Sequence, residues 1–321
     1  TEKGAPSFTK SFLQETNHAL PKLILEARNL NKTSGTFINT IMKHTHKDGR
    51  IHSHINQIRS DDGGTVSGRI SMNSPMIRSL FLPEEGEQWA AIDFSQQEPR
   101  ILVHYAHVFG KSRGIQMDAV EEFVRGYNDN PDMDFHTMVA EMANINRKQA
   151  KTINLGMMYG MGVNKLSDQL DIEVSEAKAL VKQYHDRVPF VKGLMNGVQN
   201  RLNDKSSAGS IRSILGRKCR FDLWEPDTFA MNKALPYRDA VKEYGDTTRL
   251  KRAYTDMTKQ AMVNIYRAGK LPMVQIHDEV AMSVKDMDEA REVAYIMETA
   301  VPLEVPNKCD IEIGPSWGEA K

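Results

Sequence analysis

The sequence predicts an α+β fold, and three observations predict it. Gln88–Phe94 is a short apolar run that reads as a mostly buried strand ending on an acid, Asp93. Residues 115–215 are dominated by helical spacing. Between Leu271 and Val284 the pattern changes to alternation, with His277-Asp278-Glu279 between two strand-like runs.

In chain order, residues 1–57 are basic and polar, with a helix-like stretch around Leu20–Asn31. Asp61-Asp62-Gly63-Gly64 is a turn cluster. After the strand at Gln88–Phe94, Pro99 is followed by Ile101, Leu102, Tyr105 and Ala106 at helical spacing. Proline is favoured at a helix start, so the pattern predicts a strand-to-helix junction at Ser95–Pro99. Helices are predicted over Met117–Tyr127, Phe135–Met142, Asn146–Tyr159 and Ser175–Leu202. A β-hairpin follows, built from Met273–Ile276 and Val280–Val284 with the acids at its tip, and then a helix near Met287–Val301. No internal repeat or low-complexity tract interrupts this order.

The 321 residues suffice for roughly two domains. Lys plus Arg number 42 and Asp plus Glu 42, so the whole-chain charge argues neither for nor against nucleic acid. The two cysteines, Cys219 and Cys309, have no CxxC or Cys/His neighbour. A zinc site or disulfide framework is thereby excluded, and a reducing, cytoplasmic setting is expected. No apolar run approaches about 18 residues, which excludes a spanning helix and any membrane partner.

Two segments present acids at strand ends: Asp93-Phe94-Ser95-Gln96-Gln97-Glu98-Pro99-Arg100, and Asp278-Glu279. Magnesium takes oxygen ligands and is commonly held by one or two carboxylates. If the strands are neighbours, the acids converge, and convergent carboxylates suit a pair of ions about 3.5–4 Å apart. Taken alone, each acid reads first as a strand or turn cap. A third pattern is more specific. Arg147, Lys151, Leu155 and Tyr159 recur every four residues and share one helix face, cationic at one end and apolar at the other. A nucleoside triphosphate has that polarity. The competing reading is a solvated basic face with a core leucine.

Together these segments resemble family A DNA polymerases, the group of bacterial DNA polymerase I and related phage replicative enzymes. Asp93–Arg100 is similar to their motif A (DYSQIELR), Arg147–Gly160 to motif B (RxxxKxxxFGxxYG) and His277-Asp278-Glu279 to motif C (HDE). Order and separations agree. Gly68-Arg69 with Ser71, Leu25-Glu26-Ala27-Arg28 and Leu215-Gly216-Arg217 agree too.

The resemblance implies a right-hand polymerase fold, with an antiparallel palm sheet carrying the acids and helical fingers. Its divisions are a thumb remnant over 1–28, palm over 29–108, fingers over 109–214 and palm again over 215–321. It implies two Mg²⁺ ions on Asp93, Asp278 and the Phe94 carbonyl, with Glu279 a supporting acid near the primer end. Arg147, Lys151 and His136 would bind the dNTP triphosphate, and Leu155 would lie near its sugar. Glu98 would crowd the sugar 2′ position, Gln96 would line the nucleotide site, and Tyr159 would sit beside the templating pair. Arg69, Arg100 and His277 would face the primer end of a primer–template DNA, and Arg28 its phosphates. His136 and His277 also read as packed residues.

Departures accompany the likeness. Pro99 and Leu155 replace an aliphatic and an aromatic residue of the motifs. Met76 follows Ser74-Pro75 directly where the family has a loop, and Asp256 follows Thr255 where it has a helix contacting the duplex minor groove. A separate thumb or exonuclease segment, or a processivity factor, is thus a further expected partner, and the cytoplasm of a bacterial host the expected setting for a phage-encoded chain. The rivals are a single-subunit RNA polymerase, against which Glu98 argues, a noncatalytic DNA-binding subunit, and a metal nuclease, which would not need the Arg/Lys/Tyr stripe.

Overall fold

The computed structural model describes residues 8–52, 78–158, 161–203, 210–220, 224–226, 234–236 and 256–320. Arg69, Tyr159, the turn cluster and the Pro75–Met76 and Thr255–Asp256 junctions lie wholly or partly outside them.

The described helices, in chain order, are α1 (Lys10–Glu15), α2 (Ala19–Lys32), α3 (Asn39–His44), α4 (Gln97–Gly110), α5 (Met117–Asp129), α6 (Phe135–Ala143), α7 (Arg147–Met158), α8 (Val163–Leu170), α9 (Val174–Arg187), α10 (Pro189–Asn203), α11 (256–267) and α12 (Met287–Glu298). The strands are β1 (Gln88–Phe94), β2 (Ser210–Arg212), β3 (Lys218–Arg220), β4 (Trp224–Pro226), β5 (Ala234–Pro236), β6 (Val274–Ile276), β7 (Glu279–Val284) and β8 (Cys309–Gly314). The main sheet has the order β6-β7-β1-β8 and is antiparallel throughout.

Side-chain alternation sorts this sheet into two faces. Ala90, Ile92 and Phe94 of β1, with Val280, Met282 and Val284 of β7, enter the main core, where Ala290, Val293, Ala294 and Met297 of α12 also pack. On the opposite face Trp89, Ala91, Ile276 and Ala281 pack with Trp317 and Ala320 of the C-terminal segment. Asp93, Glu279 and Asp310 continue this second face.

α4 begins two residues before Pro99, at Gln97, after Gln96 in the left-handed region (φ 50°). Pro99 therefore lies in the first turn, where a missing N–H costs little. The Ser95 carbonyl, which the residue 99 amide would otherwise approach, accepts a hydrogen bond from Arg100 Nε at 2.9 Å.

The expected single helix over Ser175–Leu202 is two, α9 and α10. Pro189 breaks it, because proline disfavours helical backbone at the preceding residue, and Val188 sits at φ −124°, ψ 59°. α8, α11 and β8 were not expected. β8 carries a readable alternation, Cys309-Asp310-Ile311-Glu312-Ile313, with two acids obscuring it. The N-terminal helices form an open arm: among its described residues only Leu13 is buried. Among the described residues no helix is long and apolar enough to cross a membrane.

Candidate active site

Register builds the acid centre. Asp93 lies opposite Glu279 on β7 and opposite Asp310 on β8. Side chains paired across strands share a face about 5 Å apart, so three carboxylates cross three adjacent strands. His277 and Asp278 form the two-residue link between β6 and β7, and His277 adopts a left-handed conformation (φ 55°) that a tight hairpin requires. Glu279, expected at the tip, is the first residue of β7 instead.

The Asp93 carboxyl is pushed up to about 8, first by the protein packed around it and then by the negative charges of Asp278, Glu279 and Asp310; a hydrogen bond from the Phe94 amide opposes the rise. Its side chain nevertheless opens to solvent, so repulsion among the acids is the more telling cause. Carboxylates held together against repulsion, with an adjacent backbone carbonyl at Phe94, make an all-oxygen donor set. That chemistry fits a hard divalent cation. The Phe94 ring is buried in the main core, which anchors the strand end.

Glu279 is committed elsewhere. Its Oε2 accepts from Arg78 Nη1 at 3.2 Å and its Oε1 from Trp317 Nε1 at 2.6 Å. Neither Arg78 nor Trp317 is in the three motifs, and sequence reasoning missed both. Asp310 was missed for the reason β8 was.

A second centre forms on α6 and α7. Asp134 caps α6, accepting from the His136 amide at 3.0 Å and the Thr137 hydroxyl at 2.9 Å, and pairs with Arg147 Nε at 2.5 Å. Burial raises the Asp134 pKa, but Arg147, Thr137 and the His136 amide outweigh it and hold the carboxyl below its ordinary value. His136 is 8% exposed. Burial first, and then Arg147 and Lys151, lower its pKa against the pull of Asp134, which keeps the ring neutral. Asn154 Nδ2 contacts its Nδ1 at 2.9 Å. With the amide as donor, Nδ1 accepts and the proton sits on Nε2. On α7, Ala150, Ile153, Asn154 and Met157 are buried while Arg147 and Lys151 stand exposed. Leu155 is half-buried against the main core, between the two environments.

Two residues join the centres. Gln96 was expected to line the nucleotide site. Its Oε1 accepts from the Phe135 amide at 2.8 Å and its Nε2 donates to the Met133 carbonyl at 3.1 Å, so its amide ties the end of β1 to the start of α6. Arg100 was expected at the primer end. It is 1% exposed, and its guanidinium donates to the carbonyls of Ser95, Pro306 and Pro131 (2.9, 2.5 and 2.6 Å) while lying 4.6 Å from the Tyr127 ring centroid. It has no surface to offer a DNA strand. Arg28 is exposed on α2 with Nη1 donating to the Phe8 carbonyl, and Glu98 is half-buried in the first turn of α4.

The model of DNA polymerase family A matches residues 1–319. A DNA-directed DNA polymerase of Pseudomonas phage M6 is 34% identical over an alignment covering 100% of this chain and 54% of the phage protein. Thermostable DNA polymerase I of Thermus aquaticus is 28% identical, with 100% of this chain and 39% of that protein covered. The POL domain of Pol1 from M. smegmatis, solved in complex with DNA primer-template and dNTP, superposes with a TM-score of 0.74 at 24% identity, covering 97% of this chain and 55% of that one. The last likeness speaks for the fold. The chain spans about half the length of the phage relative and less of the Thermus one.

Proposed function

The chain belongs to DNA polymerase family A, and we propose that it extends a primer 3′-hydroxyl with deoxynucleoside triphosphates opposite a DNA template. The observation that carries this reading is the sheet register that gathers Asp93 with its neighbouring acids, while Gln96 links that strand end to the helices bearing His136, Arg147 and Lys151.

In this reading Asp93, Asp278 and the Phe94 carbonyl would hold a pair of Mg²⁺ ions, with Glu279 a supporting acid near the primer end rather than one of their ligands. When bound, the ions supply charge stabilisation to the attacking and leaving oxygens. The residues of the chain do the rest. Lys151 and Arg147 take triphosphate oxygens, as exposed cations on one helix face. The neutral His136 ring presents its Nε2 proton as a donor to the same group. Glu98 crowds the 2′ position of the sugar, Leu155 meets the sugar, and Tyr159 sits beside the templating pair. Arg69, Arg28 and His277 contact the primer strand. The primer 3′-hydroxyl loses its proton to solvent as its oxygen attacks the α-phosphorus, the bond from the α-phosphorus to the α–β bridging oxygen breaks, and pyrophosphate leaves. The main sheet joins 88–94 to 274–314, which supports the division into a palm in two pieces (29–108 and 215–321) around fingers (109–214), after a thumb segment. Work on DNA fits a cytoplasmic setting, that of the host for a phage-encoded copy, with a thumb or exonuclease segment or a processivity factor as a further partner.

The test is extension of a labelled primer–template with Mg²⁺ and either dNTPs or rNTPs. Extension with dNTPs, and at least about 100-fold poorer use of rNTPs, is expected. No extension with either would sink the reading, and equal use would shift it to an RNA polymerase.

A further inference from the structure

Glu279 lies directly across the strand pair from Asp93, on the same face. A free carboxylate there would join any cation that Asp93 binds. Magnesium demands near-ideal octahedral geometry and few carboxylates, so an extra oxygen in reach alters both geometry and charge. The protein instead draws Glu279 the other way, with a donor on each of its two oxygens. Arg78 Nη1 takes one and Trp317 Nε1 the other. The two donors also support each other: the Arg78 guanidinium lies 4.5 Å from the Trp317 ring centroid, a cation–π contact.

This arrangement is built into the fold. Trp317 is 1% exposed, its ring set edge-on to Phe81 and stacked near Trp89, and its amide donates to the Phe81 carbonyl at 3.0 Å. Beside it, a Cβ on Gly318 would fall 2.1 Å from Ser79 Oγ and 2.7 Å from Ser79 N. Only glycine lets the C-terminal segment press onto residues 79–81, the stretch that follows Arg78. Two segments distant in sequence thus meet on one carboxylate beside the acid centre.

We propose that Arg78 and Trp317 are positioning residues that hold the Glu279 carboxylate out of the metal-binding set, leaving Asp93 and Asp278 to meet the cations. The proposal rests on the reading of Asp93 and Asp278 as the metal-binding acids. It identifies Glu279 as an anchored neighbour of the site and gives the C-terminal segment a role in the chemistry.

The experiment counts and titrates bound Mn²⁺ by electron paramagnetic resonance, without nucleotide, and follows primer extension in parallel. Glu279→Gln alone should leave Mn²⁺ affinity within about twofold, because the carboxylate is not a ligand. Arg78→Met frees one oxygen of Glu279 and should tighten Mn²⁺ about fivefold or more while lowering kcat about tenfold, with KM for dNTP little changed. Adding Glu279→Gln to Arg78→Met should return the affinity to the starting value, and Arg78→Lys should show little of the effect. Trp317→Phe, which keeps the ring under Arg78 and removes only the N–H, should shift Mn²⁺ affinity in the same direction by about half as much on a logarithmic scale.

Simple additivity of the two substitutions would point to general electrostatics and overturn the proposal. So would weaker Mn²⁺ binding in Glu279→Gln alone, which would make Glu279 a ligand. Asp93→Asn separates the two failures. If it abolishes Mn²⁺ binding while Arg78→Met and Trp317→Phe change nothing, the anchoring proposal alone falls. If Asp93→Asn leaves Mn²⁺ binding intact, the metal reading falls and takes the proposal with it.

Discussion

The acid face of the sheet and the cationic face of α7 place charge by opposite means. On the sheet, short carboxylates are fixed by backbone register: Asp93 stands between Glu279 and Asp310, with Ile92 and Phe94 on either side of it locked in the core. On α7, Arg147 is held by Asp134, while Lys151 stands on an exposed face whose position the buried side of the helix sets. The sheet brings like charges together at a cost, and the helix keeps its charges in solvent at almost none. Position is therefore critical on the sheet, and charge alone at Lys151 on the helix.

The largest effect expected from this difference is at Asp93. Both Asp93→Ala and the charge-preserving Asp93→Glu should lower kcat by about 10³-fold or more, a loss of about 4 kcal/mol in the transition state. Primer binding should change little. A glutamate variant within tenfold of the native enzyme in single-turnover extension would break the claim that register sets the chemistry.

Arg100 tests the joint between the two regions. Replacing it with Leu leaves the carbonyls of Ser95, Pro131 and Pro306 without their charged donor inside the protein. A loss of about 3 kcal/mol in unfolding free energy is expected, read by denaturant titration. DNA affinity measured on the folded fraction should stay unchanged. Weaker DNA binding without lost stability would return Arg100 to the primer end.

On α7 the expected effects are smaller. Lys151→Ala should lower kcat/KM for dNTP about 10- to 100-fold, the value of one hydrogen bond to a charged group, with DNA affinity intact. Lys151→Arg should recover most of it, because only a cation on that face is required. An arginine variant as poor as alanine would show that α7 demands the same precision as the sheet.

How much of this was legible follows the same division. β1, the hairpin and α5–α7 were readable because local alternation or helical spacing reaches the surface of the sequence. The acids and the Arg147–Lys151 face were readable as motifs. What escaped depends on contacts between distant segments. Nothing local in Met76-Ile77-Arg78 or in Pro315-Ser316-Trp317 announces that Arg78 and Trp317 meet on Glu279. Arg100 was expected at the DNA because the resemblance of its segment to motif A implies that role. Only the fold reveals that Pro131 and Pro306 deliver carbonyls to it. The break between α9 and α10 was the opposite case, since Pro189 was in plain view and its effect on Val188 is a local rule.

The smallest expected effect runs against the first. If the acids of the sheet repel one another, removing one should stabilise the protein when no cation is present. Asp93→Asn keeps the size of the side chain and, above about pH 8 where Asp93 is ionised, removes the charge between Glu279 and Asp310. In EDTA it should raise stability by about 1 kcal/mol, a modest figure because Asp93 opens to solvent and water screens much of the repulsion. For a chain of this size that amounts to about 2 °C in Tm. The gain should shrink in high salt, which screens exposed charges, and reverse in millimolar Mg²⁺, which stabilises only the form that binds it. Lys151→Ala, on the exposed face of α7, should leave Tm unmoved in every buffer. An asparagine variant less stable than the native chain in EDTA would mean that the three carboxylates do not strain the sheet, and that the contrast with α7 is one of geometry alone.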